Sequence, residues 1–353
     1  MLQVLALALG GVAVIATVLS LLRARAWWIR IWDFPRVQVA LLGIAALALG
    51  AAGGSLLDWP AAGLAALLAI AVGYQVALVW RYTRLAPREV QQTRRDERDG
   101  QVSLVVSNVL QTNRQADRLL AVVRECDADL VLCVETDDWW EKQLDALTAT
   151  HPHVVRCALP NTYGMLLYSR LPLEGAEVNF LVEPDIPSIQ AGVRLPNGTL
   201  VWLNCVHPRP PVPGESDESL ERDAELLLVG RRVRDARSPV IVCGDLNDVA
   251  WSRTTRLFQK VSRLVDPRKG RGFYSTFHAR WPGFRYPLDH VFHSDDFRLV
   301  SMGRLGNVGS DHFPVCVALS HEPEASSEQD APSESADDLR EAHETITEER
   351  ASE

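Results

Sequence analysis

Charged residues are absent from three long stretches near the start of the sequence. Residues 2–22, 37–57 and 61–80 contain no Asp, Glu, Lys or Arg, and each is close to the roughly 20 apolar residues that a helix needs to cross a bilayer. Their apolar runs, rich in Gly and Ala, argue against buried core helices and suit packing in lipid. Lys and Arg are also missing from residues 1–6, which argues against a cleaved signal peptide. We therefore predict that residues 1–86 form a membrane anchor with three transmembrane helices.

Cysteine pairs with metal-binding spacing are absent as well. The sequence contains no CxxC motif, and its six cysteines are Cys126, Cys133, Cys157, Cys205, Cys243 and Cys316. We therefore predict neither a zinc site nor a disulfide framework. Most of these cysteines lie in apolar runs, and buried free thiols are compatible with a reducing compartment.

The C-terminal segment has few basic or aliphatic residues. The whole sequence has a net charge of −9, but residues 321–353 contain 12 Asp or Glu and 2 Arg, so this segment carries −10 and the remaining chain +1. Because the segment has almost no aliphatic periodicity, we predict that residues 321–353 are an acidic disordered tail. Its role is either that of a solvated extension or that of an interaction segment.

The arginines that flank the apolar stretches predict the orientation of the anchor, because basic residues in short loops tend to remain in the cytoplasm. They are Arg23, Arg25, Arg30 and Arg36 in the first loop, and Arg81, Arg84, Arg88, Arg94, Arg95 and Arg98 after the third stretch. The second loop, residues 58–60, has none. We predict a multi-pass protein of the cell membrane whose C-terminal domain faces the cytoplasm, with an extracytoplasmic placement as the alternative.

The rest of the sequence predicts one domain that contains both helices and strands. Residues 87–100 are polar and heavily charged, which predicts a linker, and a domain follows at residues 101–320. Apolar runs of strand length alternate with stretches of helical spacing, which predicts an α/β domain. The strands are expected at 102–106, 130–134, 165–168, 200–206, 240–243, 288–292 and 314–319, and the helices at 114–124, 139–149 and 219–233.

Polar residues cluster where the predicted strands end, which is where a sheet brings side chains to a common edge. The six places are Ser107-Asn108, Glu135, His207-Pro208, the run from Gly244 to Asp248, Asp289-His290 and Ser310-Asp311-His312. Taken singly, each has an ordinary structural explanation. A turn accounts for Asn108 or Asp245, and a hydrogen-bonded core position accounts for His207.

Together and in this order, these residues resemble the endonuclease/exonuclease/phosphatase superfamily, which includes deoxyribonucleases, abasic-site endonucleases, inositol-polyphosphate phosphatases and neutral sphingomyelinases. The sharpest matches are the GDLN run with Asp245 and Asn247, and the SDH run that ends at His312. The resemblance makes residues 101–320 the catalytic domain. It implies a four-layered α/β sandwich of two packed mixed sheets flanked by helices, preceded here by the three transmembrane helices.

The same residues suit the hydrolysis of a phosphate ester, which requires neutralisation of oxygen charge and an oriented water. Glu135, with Asn108 and Asp311 beside it, offers the oxygen ligands that Mg²⁺ prefers, with Mn²⁺ as the alternative. The resemblance implies that Asp245 orients or deprotonates the attacking water and that Asn247 helps to hold the water or the phosphate.

Histidines complete the predicted site. The resemblance implies that His312 contacts the scissile phosphate, with Asp289 keeping it oriented and protonated. His207 matches the second histidine of the deoxyribonuclease-like branch, which implies phosphate binding or protonation of the leaving group. His290 is interpreted as a core or supporting residue. Which of Tyr163, Met165 and Tyr168 faces the site stays open.

Residues 253–286 form the segment that we expect to contact the substrate, because they contain nine Lys or Arg, one acid and seven aromatic residues. Such a loop suits nucleic acid or phosphate head groups, and a solvated loop is the alternative. Since a membrane tether concentrates the site near the bilayer, lipid-linked phosphates join nucleic acid as candidate partners. We predict a membrane-anchored, magnesium-dependent hydrolase of phosphodiester or phosphomonoester bonds that uses in-line attack by an activated water. The alternatives are a nuclease acting on DNA or RNA and a catalytically inactive, membrane-associated phosphate-binding module.

Overall fold

The computed structural model describes residues 1–53, 59–236 and 238–352. Contacts divide the chain into two units, the first formed by Met1–Pro87 with Pro211–Ser219 and the second by Arg88–Pro210 with Leu220–Glu353. The second unit contains most of the domain predicted at 101–320. It also includes most of the predicted linker and the C-terminal segment.

The first unit is built from apolar helices. They are α1 (Leu2–Leu21), the short α2 (Trp27–Arg30), α3 (Arg36–Ala52) and α4 (Trp59–Trp80). Leu2–Leu21 and Ala62–Trp80 are each long and apolar enough to cross a membrane. A third span results if Trp27–Asp33 and Arg36–Ala52, which are bent by 72°, count as one. The end of the second predicted stretch, 54–57, and Asp58 of the second loop lie outside the described residues.

Buried polar side chains join the three long helices of this unit. Arg36, only 1% exposed, donates a hydrogen bond to Gln75 Oε1 (3.0 Å) and also pairs with the Asp33 carboxylate. Gln75 Nε2 in turn donates to Thr17 Oγ1 (2.9 Å). We call Thr17, Asp33, Arg36 and Gln75 the helix cluster. Arg30 is also buried beside Asp33, so two of the four arginines that the sequence assigns to a basic loop are buried inside the unit.

The second unit contains two mixed sheets. The strands are β1 (Gln101–Asn108), β2 (Leu130–Val134), β3 (His153–Cys157), β4 (Met165–Ser169), β5 (Leu173–Asn179), β6 (Ser188–Arg194), β7 (Leu200–Val206), β8 (Val240–Asp245), β9 (Asp289–His293), β10 (Phe297–Arg304) and β11 (Val315–His321). Their order is β10-β11-β1-β2-β4-β3 in the first sheet and β5-β6-β7-β8-β9 in the second. The pairs β1–β2 and β7–β8 are parallel, which brings the carboxyl ends of these strands to one edge of each sheet.

Side-chain alternation along the strands explains the layers. Val102, Leu104 and Val106 of β1 point into the core between the sheets, whereas Val105 points to the outer side. The outer helices are α5 (Ala116–Cys126) and α6 (Asp138–Leu144) on the first sheet, and α7 (Leu220–Arg234), α8 (Arg253–Ser262) and α9 (Ala336–Ser352) on the side of the second. The predicted four-layered α/β sandwich is therefore confirmed.

The C-terminal segment differs from the disordered tail predicted at 321–353. Ala342 and Ile346 of α9 are buried against Leu227 of α7 and against Leu257 and Val261 of α8. Acidic side chains pair with basic ones as follows: Glu341 with Arg253 (2.5 Å), Asp338 with Lys260 (3.0 Å) and Glu334 with Arg263 (2.7 Å). The prediction was wrong because this composition, typical of disorder, here complements a basic helix face and needs few apolar anchors. Residue 353 lies outside the described residues.

The predicted linker at 87–100 also differs, because its first half packs on the sheets. Val90 is fully buried in the core between them. Gln92 forms a bridge with Leu299 of β10, and the Thr93 amide donates to the Leu299 carbonyl (2.9 Å). One valine within a charged stretch gives no periodic signal, so the sequence could not reveal this packing.

A disulfide joins Cys126, at the end of α5, to Cys316 in β11, contrary to the expectation of no disulfide. The two cysteines are 190 residues apart, so their spacing carried no signal. The other four cysteines are free thiols, as expected.

Candidate active site

Four strands deliver polar side chains to one place. Strand β1 ends at Asn108, β2 is followed directly by Glu135, β8 ends at Asp245 and β9 begins at Asp289. Asp245 and Asp289 are directly opposite each other in the antiparallel β8–β9 pair. His312 comes from the loop before β11. The structure therefore brings together five residues that the sequence placed at separate strand ends.

Asn108 links the two sheets at this edge. Its side-chain Nδ2 donates to Glu135 Oε1 (2.7 Å) and to Asp245 Oδ2 (3.0 Å). Its Oδ1 accepts a hydrogen bond from the Leu110 amide (3.0 Å). In this orientation Asn108 offers its amide nitrogen to the site, so it holds the two carboxylates together and does not present a ligand oxygen.

The end of β8 requires a glycine at position 244. Gly244 has φ +144°, and a Cβ at this position would come within 1.9 Å of the Val206 carbonyl oxygen in β7. In the loop after β8, the Asn247 amide donates to Asp245 Oδ1 (3.0 Å), and the Asn247 side chain donates to the Pro208 carbonyl (2.9 Å). These bonds tie the loops after β7 and β8 together and fix one Asp245 oxygen.

His312 lies between two carboxylates. Its Nδ1 donates to Asp289 Oδ2 (2.8 Å), and its Nε2 is 3.6 Å from Asp245 Oδ2. Burial alone would lower the pKa of His312, but Asp289 and Asp245 raise this pKa to about 10. His312 is therefore an imidazolium at neutral pH, and the Phe277 ring packs against it at 4.9 Å.

The pKa values of the two aspartates shift in opposite directions. Burial raises the pKa of Asp289 in spite of its bond to His312. Burial also acts on Asp245, yet the nearby His312 and His207 and the bond from Asn108 hold the pKa of Asp245 below its ordinary value. Asp245 therefore stays ionised at neutral pH, as a group that accepts or orients a proton must be.

Glu135 is a partly exposed carboxylate beside the charged groups of the site. It has φ +61°, accepts hydrogen bonds from Asn108 and from the Gln111 amide (3.3 Å), and forms no ion pair with Lys or Arg in the part of the chain that the structure describes. Desolvation raises the pKa of Glu135 to about 7, although the charge of His312 lowers this pKa. A desolvated carboxylate without a Lys or Arg partner fits a divalent metal ion, which prefers oxygen ligands.

A second arrangement also has metal-like geometry. One ligand atom each of Asp245, Asp289 and His312 lies within 4.8 Å of the others. In the metal-free protein His312 carries a proton, so a metal ion bound by this group would have to displace that proton. Glu135 and this group are therefore the two candidate metal positions among the described residues.

His207 lies near this group, at the end of β7. It is buried, its ring is 5.4 Å from that of Tyr163, and it lowers the pKa of Asp245. Tyr163 is thus the residue that faces the site, whereas Met165 lies in the core between the sheets and Tyr168 lies under the outer helices. This answers the question that the sequence left open.

Asp311 acts on this network through its charge, which helps to raise the pKa of His312. Its carboxylate accepts a bond from Ser310 Oγ (3.4 Å), and its carbonyl accepts one from the Ala279 amide (2.6 Å). Within residues 59–236 and 238–352, no hydrogen bond or ion pair links Asp311 to Glu135 or Asn108, so its role as a metal ligand stays a prediction.

Arg222 is a residue that sequence reasoning missed. It is buried on α7 and donates from Nη1 to the Asn247 carbonyl (2.9 Å), which supports a residue with φ +50°. It also pairs with Asp223 (2.8 Å). The available signal was the run of charged residues Arg222, Asp223 and Glu225 among the apolar residues of the helix.

Comparisons with known proteins agree with this geometry. The profile of the Endonuclease/Exonuclease/phosphatase family matches residues 105–312. No curated protein sequence matches the chain.

Solved structures give the fold. The chain is similar to the endonuclease/exonuclease/phosphatase from Beutenbergia cavernae DSM 12333, with a TM-score of 0.52 and 21% identity over 63% of this chain and 72% of that one. It is similar to D. rerio TDP2 complexed with single strand DNA product, with a TM-score of 0.53 and 16% identity over 62% of this chain and 99% of that one. It also resembles Sphingomyelinase C from Streptomyces griseocarneus, with a TM-score of 0.48 and 15% identity over 62% and 99% of the two chains.

At these identities the structural likeness speaks for the fold alone. The family profile, however, spans more than half of the chain and runs from β1 to His312. The residues that it covers include the network around Asn108. From these observations we conclude that this chain belongs to the endonuclease/exonuclease/phosphatase family.

Proposed function

We propose that this protein is a metal-dependent phosphoesterase, anchored in a membrane by its apolar helices, that acts on a lipid-linked phosphoester. The family includes metal-dependent phosphoesterases and nucleases. One observation carries the activity: Asn108 bonds to both Glu135 and Asp245, while His312 bonds to Asp289 beside Asp245. This network combines an ionised base, a fixed cation and a metal-binding carboxylate.

Asp245 is the residue suited to orient and deprotonate the attacking water. It stays ionised, and hydrogen bonds from Asn108 and the Asn247 amide hold both of its oxygens. A base that is already fixed does not have to reorganise during the reaction. Asn247 then stands next to the water and the phosphate.

His312 is the residue suited to neutralise the phosphate. As an imidazolium it presents Nε2–H toward the site while Nδ1 is held by Asp289. A fixed positive group of this kind stabilises the charge that builds up on phosphoryl oxygens. His207 would bind the same phosphate or protonate the leaving oxygen.

Glu135 is the residue that would hold the metal ion, with Mg²⁺ as the expected ion and Mn²⁺ as its substitute. When bound, the ion supplies Lewis-acid charge to the phosphate oxygens. Asn108 would fix the Glu135 carboxylate, to which it donates. Asp311 is the further oxygen ligand that we propose for this ion.

The basic stretch 253–286 supports a lipid over a polyanion. Five of its nine basic residues form ion pairs inside the unit: Arg253, Lys260 and Arg263 with the C-terminal segment, Arg268 with Asp266 and Lys269 with Glu89. Its tip instead exposes Trp281 (63%) and Phe284 (59%). Phe277 of the same loop pairs with His312, so these rings belong to the loop that borders the site. Exposed aromatic rings are typical of surfaces that enter a bilayer interface.

The experiment uses the full-length protein in vesicles. We offer it phospholipid vesicles, a soluble chromogenic phosphodiester, single-stranded DNA and RNA, each with Mg²⁺ and then with chelator. We expect magnesium-dependent release of phosphate or head group from the lipid. Trp281→Ala with Phe284→Ala should lower lipid turnover by about tenfold or more, since each buried ring contributes about 1.5–3 kcal/mol. Turnover of the soluble ester should not change.

The matched control is Phe180→Ala, which removes another exposed aromatic ring of the same unit. Its lipid turnover should equal that of the unmodified protein. Cleavage of nucleic acid without cleavage of lipid would reject the lipid assignment. Absence of any turnover would favour a phosphate-binding module without catalysis.

The side of the membrane is a separate part of the proposal. We assign the catalytic unit to the cytoplasm, because exposed Arg81, Arg84 and Arg88 follow the last apolar helix. The Cys126–Cys316 disulfide is instead typical of an oxidising compartment. A C-terminal reporter that is active only in an oxidising compartment decides between them: an inactive reporter supports the assignment and an active one overturns it.

A further inference from the structure

The segment that follows the first unit in the chain is bonded to a buried turn of the second. The first unit's N-terminal part ends at Pro87, and Glu89 follows two residues later. Glu89 Oε2 accepts a hydrogen bond from the Asp266 amide (2.7 Å), and Oε1 pairs with Lys269 Nζ (2.7 Å). Both side chains are largely buried. The Val90 carbonyl also accepts a bond from Arg271 (2.6 Å). This segment therefore holds the turn at 266–271 in place.

The same turn contains a buried ion pair between Asp266 and Arg268, and Arg268 also contacts residues next to the active site. Arg268 Nε and Nη2 donate to the two oxygens of Asp266 (2.9 and 2.8 Å), and both side chains are fully buried. Arg268 Nη2 also donates to His290 Nδ1 (2.6 Å), and Nη1 lies 3.4 Å from the Asp289 carbonyl oxygen. A fork-to-fork pair of this kind fixes the orientation of the guanidinium.

His290 extends the chain of contacts to the loop after β8. Its Nδ1 faces a guanidinium, which can only donate, so the proton of the neutral ring sits on Nε2. Nε2 then donates to the Asp248 carbonyl (2.9 Å). Burial and Arg268 lower the pKa of His290 to about 3, which keeps the ring neutral. The path therefore ends at two backbone carbonyls, those of Asp248 and Asp289.

These two carbonyls flank the reactive side chains. Asp289 holds His312, and Asp248 follows Asn247, whose backbone is in the left-handed region. None of the side chains of Glu89, Lys269 or Asp266 bonds to Asp245 or His312 within the described part of the chain. Any effect of these groups on the reaction therefore passes through the backbone positions that they set.

We infer that Glu89 is a positioning residue of the active site: through the turn at 266–271, Arg268 and His290, it sets the backbone of Asp289 and Asp248 and so the alignment of His312 with Asp245. The inference rests on the proposed function for its kinetic consequence. It assigns a role to a residue in the segment that the sequence presents as a linker. Small displacements of reacting groups cost rate more than affinity, so kcat is the affected quantity.

The test uses the full-length protein in detergent, with Glu89→Gln and, one link further, Arg268→Lys. Kinetics on a soluble phosphodiester give kcat and KM, and selective ¹⁵N-histidine labelling reports the protonated nitrogen of His290 by NMR. We expect kcat to fall about tenfold to a hundredfold in both variants, with KM changed less than about twofold. The His290 signal should change from the pure Nε2–H form to a mixture of forms.

The matched control is Arg298→Gln, which breaks a similarly buried ion pair with Glu322 (3.0 Å) on β10. It should leave kcat and the His290 signal unchanged. An unchanged His290 signal in the Glu89 and Arg268 variants overturns the inference, whatever the activity. Equal kcat losses in all three variants overturn it too, because they indicate general destabilisation. If no phosphoester is turned over by the unmodified protein, the proposed function fails, while the His290 signals still decide the positioning role.

Discussion

The two units each bury a polar cluster, and the clusters differ in the sign of the charge that predominates. In the helix cluster, the Arg36 guanidinium meets the Asp33 carboxylate and the neutral oxygen of Gln75, and Arg30 lies beside the same carboxylate. In the active-site cluster, which we define as Glu135, Asp245, Asp289 and His312, three carboxyl groups surround one imidazolium. Basic groups therefore outnumber the carboxylate at Asp33, whereas acidic groups outnumber the cation in the active-site cluster.

This difference separates a structural role from a functional one. Polar groups that satisfy one another inside apolar helices hold those helices in one arrangement. An excess of buried negative charge lowers stability, because each desolvated carboxylate lacks part of its compensation. Desolvation raises the pKa of Glu135, and a bound metal ion supplies the positive charge that compensates for it. We therefore expect variants of the active-site cluster to change activity, and variants of the helix cluster to change stability.

The largest effect is expected for Asp245→Asn. The amide keeps the shape of the side chain but cannot accept a proton from water, so kcat should fall by about a hundredfold or more while the midpoint of thermal unfolding stays the same or rises. Kinetics with a soluble phosphodiester and a thermal melt measure both. The control is Asp296→Asn, which modifies a partly exposed aspartate paired with a histidine, His321 at 3.4 Å. Equal losses in both variants would contradict a catalytic role for Asp245.

A smaller effect is expected for metal affinity in Glu135→Gln. Loss of the charged ligand should weaken Mn²⁺ binding by about tenfold to a hundredfold, as measured by calorimetry on the full-length protein. Glu225→Gln is the control, because Glu225 is also a buried glutamate whose pKa is raised, to about 8. Unchanged Mn²⁺ affinity in the Glu135 variant, or equal weakening in both, would move the metal site away from Glu135.

The metal-free protein should lose stability as pH rises. The pKa of Glu135 is about 7 in the folded state and about 4.5 in the unfolded chain, so its contribution is fully present below pH 4.5 and is lost as pH rises through 7. This group's share of the fall in the free energy of unfolding should be about 2 kcal/mol over this range, allowing for partial exposure. Denaturant melts with chelator measure the slope, and Glu135→Gln should make it shallower, while Glu225, whose pKa burial raises to about 8, keeps part of it. An equally steep slope in that variant would assign the titration to another group.

Much of the site could be predicted because strand ends converge. Asn108, Glu135 and Asp245 each follow an apolar run in the sequence, and the sheets bring such ends to one edge. The same rule located Asp289 and His312, which the structure joins at 2.8 Å. The role of Asp311 as a metal ligand stays a prediction.

Contacts between distant segments could not be predicted. The pairing of Glu89 with Lys269 joins two charged stretches that look solvated when each is taken alone. The same holds for α9, whose acidic residues meet basic residues of α8. In these places composition describes each partner correctly, but only the fold shows that the partners neutralise each other.

The smallest effect is expected in the helix cluster, for Gln75→Leu. This change removes the acceptor for Arg36 and the donor to Thr17, so helix association should weaken by about 1 kcal/mol, the usual size of a hydrogen bond between membrane helices. Turnover of a soluble phosphodiester should stay within about twofold. Unfolding in mixed detergent measures the stability, and the control is Gln3→Leu, which removes a solvent-exposed hydrogen bond to the Gly53 carbonyl (3.2 Å) and should cost less stability. If Gln75→Leu instead abolished turnover and left stability intact, the division into a structural and a functional cluster would be wrong.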